Sequence, residues 1–150
     1  VQRFRERLVP GIGTLIAALL LLPAIWIIML PFSPGVGLAT AILITIAVEV
    51  LLVLIAPVVE VRDGVLAAGA ARIPVALTGE MELYRGADAV RARGVGLDAR
   101  AFTLFRGWVD PVLRVDLVDP DDPAPYWLVS TRRPEELRAA LAAERGAAAL

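Results

Sequence analysis

The chain has 150 residues, 58% of them hydrophobic, with 15 basic and 16 acidic side chains and a formal charge of −1. Every basic residue is arginine, and histidine, cysteine and lysine are all missing. That removes disulfides, thiolate chemistry and cysteine metal sites, together with the commonest general base and the amine nucleophile. Residues 57 to 150 carry 12 arginines and 14 acids, so no net basic surface is offered to nucleic acid.

In chain order, residues 1–11 read as a basic N-terminal segment in which Arg3, Arg5 and Arg7 oppose one acid, Glu6. Two apolar runs follow, residues 12–30 and 36–56, each about 20 residues long. At roughly 1.5 Å per residue, each crosses the ~30 Å hydrocarbon core of a bilayer. Leu15 to Leu22 is apolar on every side, whereas a helix on a water-soluble core keeps a polar face. The first run is too long for a signal-peptide core, and no A-x-A-like cleavage pattern follows it. Pro23 predicts a kink. The connector Pro31, Phe32, Ser33, Pro34, Gly35 is short and rich in turn formers, so residues 12–56 form a transmembrane hairpin. Arginines before the first helix and after the second, at Arg62 and Arg72, with none in the connector, place both termini in the cytoplasm and the protein in the cell membrane.

Residues 57–150 read as one small, mostly antiparallel β domain. Val58 to Arg62, Asp63-Gly64 and Val65 to Ala68 make a hairpin on a type I′ turn. Arg72 to Leu77 holds Pro74, which donates nothing to a ladder, so that strand sits at an edge or bends. Glu80 to Tyr84 is a strand or turn, and Ala87 to Arg93 a short helical or looped insert. Phe102 to Phe105 resumes the β pattern. Val112 to Val118 shows it best, with Leu113, Val115 and Leu117 on one face and Arg114 and Asp116 on the other. After the Asp119 to Pro123 loop comes a strand at Tyr126 to Ser130. A C-terminal helix over 132–145 is capped by Thr131, with Pro134, Glu135 and Glu136 in its first turn and Leu137, Ala140 and Leu141 on its packing side. About six or seven strands closed by one helix outline a pleckstrin-homology-like (PH-like) barrel, a likeness that says little about function.

The stretch Arg106-Gly107-Trp108, Val112 to Val118, Asp119 to Pro123, and above all Pro125-Tyr126-Trp127-Leu128-Val129-Ser130-Thr131-Arg132-Arg133-Pro134-Glu135-Glu136-Leu137 resembles the C-terminal signature of an actinobacterial membrane-protein family, domain of unknown function 3093. The resemblance covers nearly the whole chain. It implies an arginine-bearing start, two membrane helices and a small cytoplasmic domain, and it brings no activity, cofactor or catalytic residue.

Among candidate sites, Glu49 lies roughly 12 Å inside the second apolar run, where an ionised carboxylate costs at least ~2.5 kcal/mol. It is either a proton-relay, ion-binding or intersubunit carboxylate, or a protonated side chain hydrogen-bonded to Thr45, Thr40 or Thr14. Arg106, Arg132 and Arg133 are candidate contacts for an anionic ligand at one end of the barrel; the plain alternative is solvation near a helix start. Trp108 and Trp127 are core aromatics or an interaction patch, and strand alternation points one of Tyr126 and Trp127 inward and the other outward. Asp119, Asp121 and Asp122 lack the glycine and distal acid of a calcium loop and read as a turn. Gly94-Val95-Gly96 lacks the dinucleotide spacing. Ser130 has no base beside it, and Glu80 and Glu82 share an exposed strand face. No catalytic, metal or cofactor site is expected.

The leading functional expectation is a non-enzymatic membrane-anchored adaptor that binds a protein partner or further copies of itself. The small residues Gly13 and Ala17, and Gly37 and Ala41, permit close helix contact. Two alternatives remain open: a membrane-tethered lipid or ligand sensor using the arginines of the β domain, and an oligomeric proton or ion conduit through Glu49.

Overall fold

The computed structural model describes residues 2–148. They divide into two compact units, one of residues 9–56 and one formed by residues up to Leu8 together with those from Pro57 onward.

The first unit is the apolar hairpin. Its leading arm is two helices, α1 (Ile12–Leu19) and α2 (Leu21–Met29), divided at Leu20. Pro23 explains the break. It has no N–H to give the carbonyl of Leu19, and its ring crowds that carbonyl, so the interruption falls one turn ahead of the proline. The returning helix α3 (Pro34–Leu54) is continuous. It starts two residues earlier than the hydropathy alone predicts, because Ser33 takes the cap position, its hydroxyl accepting from the Val36 amide at 3.5 Å, and Pro34 suits the first turn. The buried residues of α3 are Gly37, Ala41 and Thr45, spaced one turn apart. A Cβ on Gly37 would stand 2.6 Å from the Cβ of Met29, so the missing side chain permits the close approach of α2 and α3. The other faces expose Ile27, Ile28, Leu43, Ile46 and Leu54. Both arms are long and apolar enough to cross a membrane by length and composition.

The second unit is mostly antiparallel β. Strands β1 (Gln2–Arg7), β2 (Val58–Arg62), β3 (Val65–Ala68) and β4 (Ala71–Pro74) form one sheet in that order, here sheet A. Asp63 and Gly64 join β2 to β3 with φ of 50° and 75°, the two positive values a type I′ turn needs. After a 3-10 turn at Val75–Leu77 come β5 (Thr78–Tyr84), helix α4 (Gly86–Arg93), β6 (Phe102–Leu104), β7 (Val112–Leu117), β8 (Tyr126–Ser130) and helix α5 (Pro134–Ala148). Sheet B has the order β5-β7-β8-β6, and β6 runs parallel to β8.

Two expectations change. The sequence reads residues 1–11 as a flanking basic segment, yet Gln2–Arg7 is an edge strand antiparallel to β2. Phe4, Glu6 and Leu8 are buried and Arg3, Arg5 and Arg7 exposed, a period of two. The hairpin is therefore an insertion between two hydrogen-bonded neighbours, with the Leu8 amide donating to the Pro57 carbonyl at 2.9 Å. The PH-like barrel is also replaced, because the two sheets do not close on each other. Pro74 ends β4 without an N–H to extend the ladder, and the 3-10 turn carries the chain into the other sheet. One core unites the sheets with α5: Val59, Val61, Leu66 and Ile73 from sheet A, Leu113, Val115, Trp127 and Val129 from sheet B, and Leu137 and Leu141 from the helix.

Candidate functional site

The tightest polar arrangement in the β unit ties β1 to the start of α5. Glu6, only 7% exposed, accepts from the Thr131 hydroxyl and, at 3.1 Å, from the Arg132 amide. Thr131 does not cap α5 directly; its hydroxyl oxygen accepts instead from the Arg133 amide at 3.1 Å. The Arg133 guanidinium donates to Glu136 and to the Arg5 carbonyl and lies 4.9 Å from the centre of the Phe4 ring. Farther along, Glu144 takes Arg3 and the Gly64 amide on its two carboxylate oxygens. Two buried carboxylates thus hold the edge strand through charge-assisted bonds. They were missed as a set because the arginines of β1 read as a topology signal, although the alternation of residues 3–8 already marked a strand.

The Arg106 and Arg133 side chains take different partners. Arg106 donates to the Phe105 carbonyl at 2.7 Å, while Arg133 is committed to α5 and β1. Trp108 is half-buried, its indole N–H donating to the Leu8 carbonyl at 3.1 Å. Trp127 is 5% exposed and packs on Phe102 with ring centres 4.5 Å apart. Tyr126 is 6% exposed, so neither member of that pair faces outward. They occupy opposite faces of sheet B, and both faces are covered. Trp127 enters the core shared with sheet A, while Tyr126 and Leu128 join Val112 and Ala89 beneath α4.

Beside α4, a depression of about 200 Å³ is lined by Tyr84, Asp88, Arg91, Arg114 and Tyr126 among others. Arg114 donates to Asp116 at 2.7 Å and stands 4.1 Å from the centre of the Tyr126 ring. Tyr84 donates to Glu82, and that bond raises its hydroxyl above the ordinary phenol range. Glu82 therefore serves as an acceptor for a neighbour, while Glu80 stays exposed on the same strand. In the acidic loop, Asp119 and Asp122 accept from the amides of Asp121 and Ala124, each two residues on, as turn-forming aspartates do.

In the hairpin, Glu49 borders a shallow apolar groove of about 320 Å³ with Leu15, Val50, Val53 and Leu54. Its Oε1 is buried with no hydrogen-bond partner, and so is the hydroxyl of Thr45 one turn earlier. Of the hydrogen bonds open to a protonated Glu49, the one to Thr45 is not made.

The chain matches, over residues 3–141, the family described as Protein of unknown function (DUF3093). It belongs to that family. No curated protein and no solved structure matches it.

Proposed function

We propose that this DUF3093 protein is a non-enzymatic adaptor of the cell membrane. In this reading the hairpin crosses the bilayer with both ends cytoplasmic and presents the β unit to a protein partner. The observation that carries it is the insertion of the hairpin between paired strands. Only residues 8–11 separate β1 from α1, and only 55–57 separate α3 from β2. Three or four residues span at most about 14 Å, so two short connections hold the β unit at the membrane surface where one flexible linker would let it roam.

Trp127 is buried in the core, and Trp108 is half-buried with its indole N–H on Leu8. Among the described residues of the β unit, the exposed large apolar side chains are Val90, Val95 and Val118. Val90 on α4 and Val95 just beyond it are 63% and 95% exposed, and they mark the partner-facing surface. Reconstitution of the full chain in native-lipid nanodiscs, followed by mass spectrometry, tests the reading. A stoichiometric protein is expected to remain attached and to be lost from Val90→Asp/Val95→Asp. Retention of further copies of the chain alone would make it a self-assembling protein. A chain that stays monodisperse in lipid-free buffer, or whose termini are reachable from outside intact cells, would overturn the membrane reading itself.

A further inference from the structure

Four of the five arginines that flank the two apolar runs, Arg5, Arg7, Arg62 and Arg72, lie on one surface. In sheet A, pairing aligns Arg5, Glu60, Ala67 and Arg72 across the four strands, and Arg62, Val65 and Pro74 in the next row. Arg7 stands opposite Val58. Since Phe4, Glu6, Val59, Val61, Leu66 and Ile73 are buried, these alternate residues form the outer face. It carries Arg5, Arg7, Arg62 and Arg72 against Glu60 and Asp63 alone, in a chain whose overall charge is −1. Glu60 pairs with Arg5 at 3.7 Å and Asp63 with Arg62 at 3.0 Å, so four arginines against two acids leave the face with a net positive charge. The small side chain of Ala67 lies in an open depression of about 550 Å³ lined by Arg62 and Arg72 and also by Glu60 and Asp63. Within the β3–β4 pairing, the Arg72 side chain has no hydrogen-bond or ion-pair partner among the described residues.

We propose that the outer face of sheet A binds the phosphate headgroups of anionic phospholipids in the bilayer that the hairpin enters. Guanidinium groups match phosphate oxygens two at a time. The intervening Val65, Ala67 and Pro74 suit the partly apolar region beneath a headgroup. The connections at residues 8–11 and 55–57 are short, so the β unit stays within reach of the bilayer the hairpin enters, three or four residues spanning at most about 14 Å, while the attraction decays over about 8–10 Å. The proposal rests on membrane insertion of the hairpin but not on the protein partner assigned to the α4 surface.

The test uses the full chain in nanodiscs of phosphatidylcholine with a minor fraction of phosphatidylglycerol, released gently for native mass spectrometry. The wild type is expected to retain phosphatidylglycerol selectively. Arg62→Gln/Arg72→Gln is expected to lower that selectivity on the order of tenfold or more, each arginine near an anionic surface contributing about fivefold. The equal-charge control Arg91→Gln/Arg138→Gln keeps it, and Glu60→Gln, which makes the face more basic without loosening the core, strengthens it. Hydrogen exchange confirms that each variant is folded; should the double variant not fold, single Arg72→Gln and Glu60→Gln carry the test in opposite directions. Selectivity absent from the wild type, unchanged in Arg62→Gln/Arg72→Gln, or lost equally in the control pair overturns the proposal. So does release of the lipid by inorganic phosphate at constant ionic strength, which would make the occupant a soluble phosphate. A chain that fails to enter the discs at all refutes the membrane reading, and loss of the protein partner with lipid selectivity intact refutes only the adaptor.

Discussion

Sheets A and B have four strands each and share one core, yet they spend their outer faces differently. In sheet B the chain returns α4 and the segment after it over the far side, so β8 is buried at every position from Tyr126 to Ser130. In sheet A the strands β2, β3 and β4 follow one another through tight turns, and no intervening segment is long enough to cover them. Their outward positions are therefore arginine, glutamate, or small and half-buried apolar residues. Where both faces of a sheet are covered, alternation in hydrophobicity vanishes; where one is open, it persists and records which side meets solvent or headgroups.

The largest test of that contrast is in β8. Leu128→Ala should cost about 2–5 kcal/mol, because Leu128 is buried beneath α4. Ala67→Thr on the open face of sheet A should stay within about 0.5 kcal/mol of wild type. Thermal unfolding of the full chain in nanodiscs, followed by tryptophan fluorescence, measures both, and similar costs would show that sheet A is covered after all.

The attachment of β1 comes next. Glu6→Ala leaves the buried Thr131 hydroxyl and the Arg132 amide without their acceptor, a loss of about 1–3 kcal/mol. Amide exchange should accelerate first in Gln2–Arg7. Protection of that strand unchanged in Glu6→Ala would place its anchorage elsewhere.

A similar effect is expected in the hairpin at Gly37→Ala, where the new methyl meets Met29 at a cost of about 1–3 kcal/mol. Gly13→Ala, with open space around it, should be neutral or raise stability by up to about 1 kcal/mol through its better helix propensity. Equal destabilisation at both glycines would remove the distinction between the packed and the open helix faces.

The smallest effect is electrostatic. Side-chain and backbone hydrogen bonds from Arg100 hold the Asp98 carboxyl below its ordinary range. A depressed folded-state value means that its contribution is present above the unfolded value, near about 3.9, and fades as pH falls through the folded one. Arg100→Gln should slightly flatten the acid side of the profile of unfolding temperature against pH, while leaving its alkaline side unchanged.

Much of this was legible along the chain. Val58 to Ala68 with its Asp-Gly turn, Val112 to Val118, Tyr126 to Ser130 and the C-terminal helix each carry a local signal, and each lies within three residues of its expected bounds, the helix starting at Pro134 and ending at Ala148 where 132–145 is expected. The first strand was hidden because Arg3, Arg5 and Arg7 satisfy two rules at once, flanking charge before an apolar run and the outward half of a strand. Only the partner β2, more than fifty residues later, decides between them. The inward-and-outward split expected of Tyr126 and Trp127 failed for the opposite reason, since one strand's alternation cannot reveal that both faces are covered.

What the sequence determined alone is therefore local or compositional. Two arms are too apolar for a water-facing helix, the short β segments follow from their period of two, and the chemistry of histidine, cysteine and lysine is excluded because those residues are missing. What only the tertiary structure decided is non-local: that the hairpin interrupts a sheet, that two open sheets replace a barrel, that Glu6 and Glu144 reach across the fold to fix its edge, and that four of the flanking arginines share one face. Pairing between strands far apart in sequence depends on which edges and faces remain unburied once the whole chain has packed, and no window of neighbouring residues contains that information.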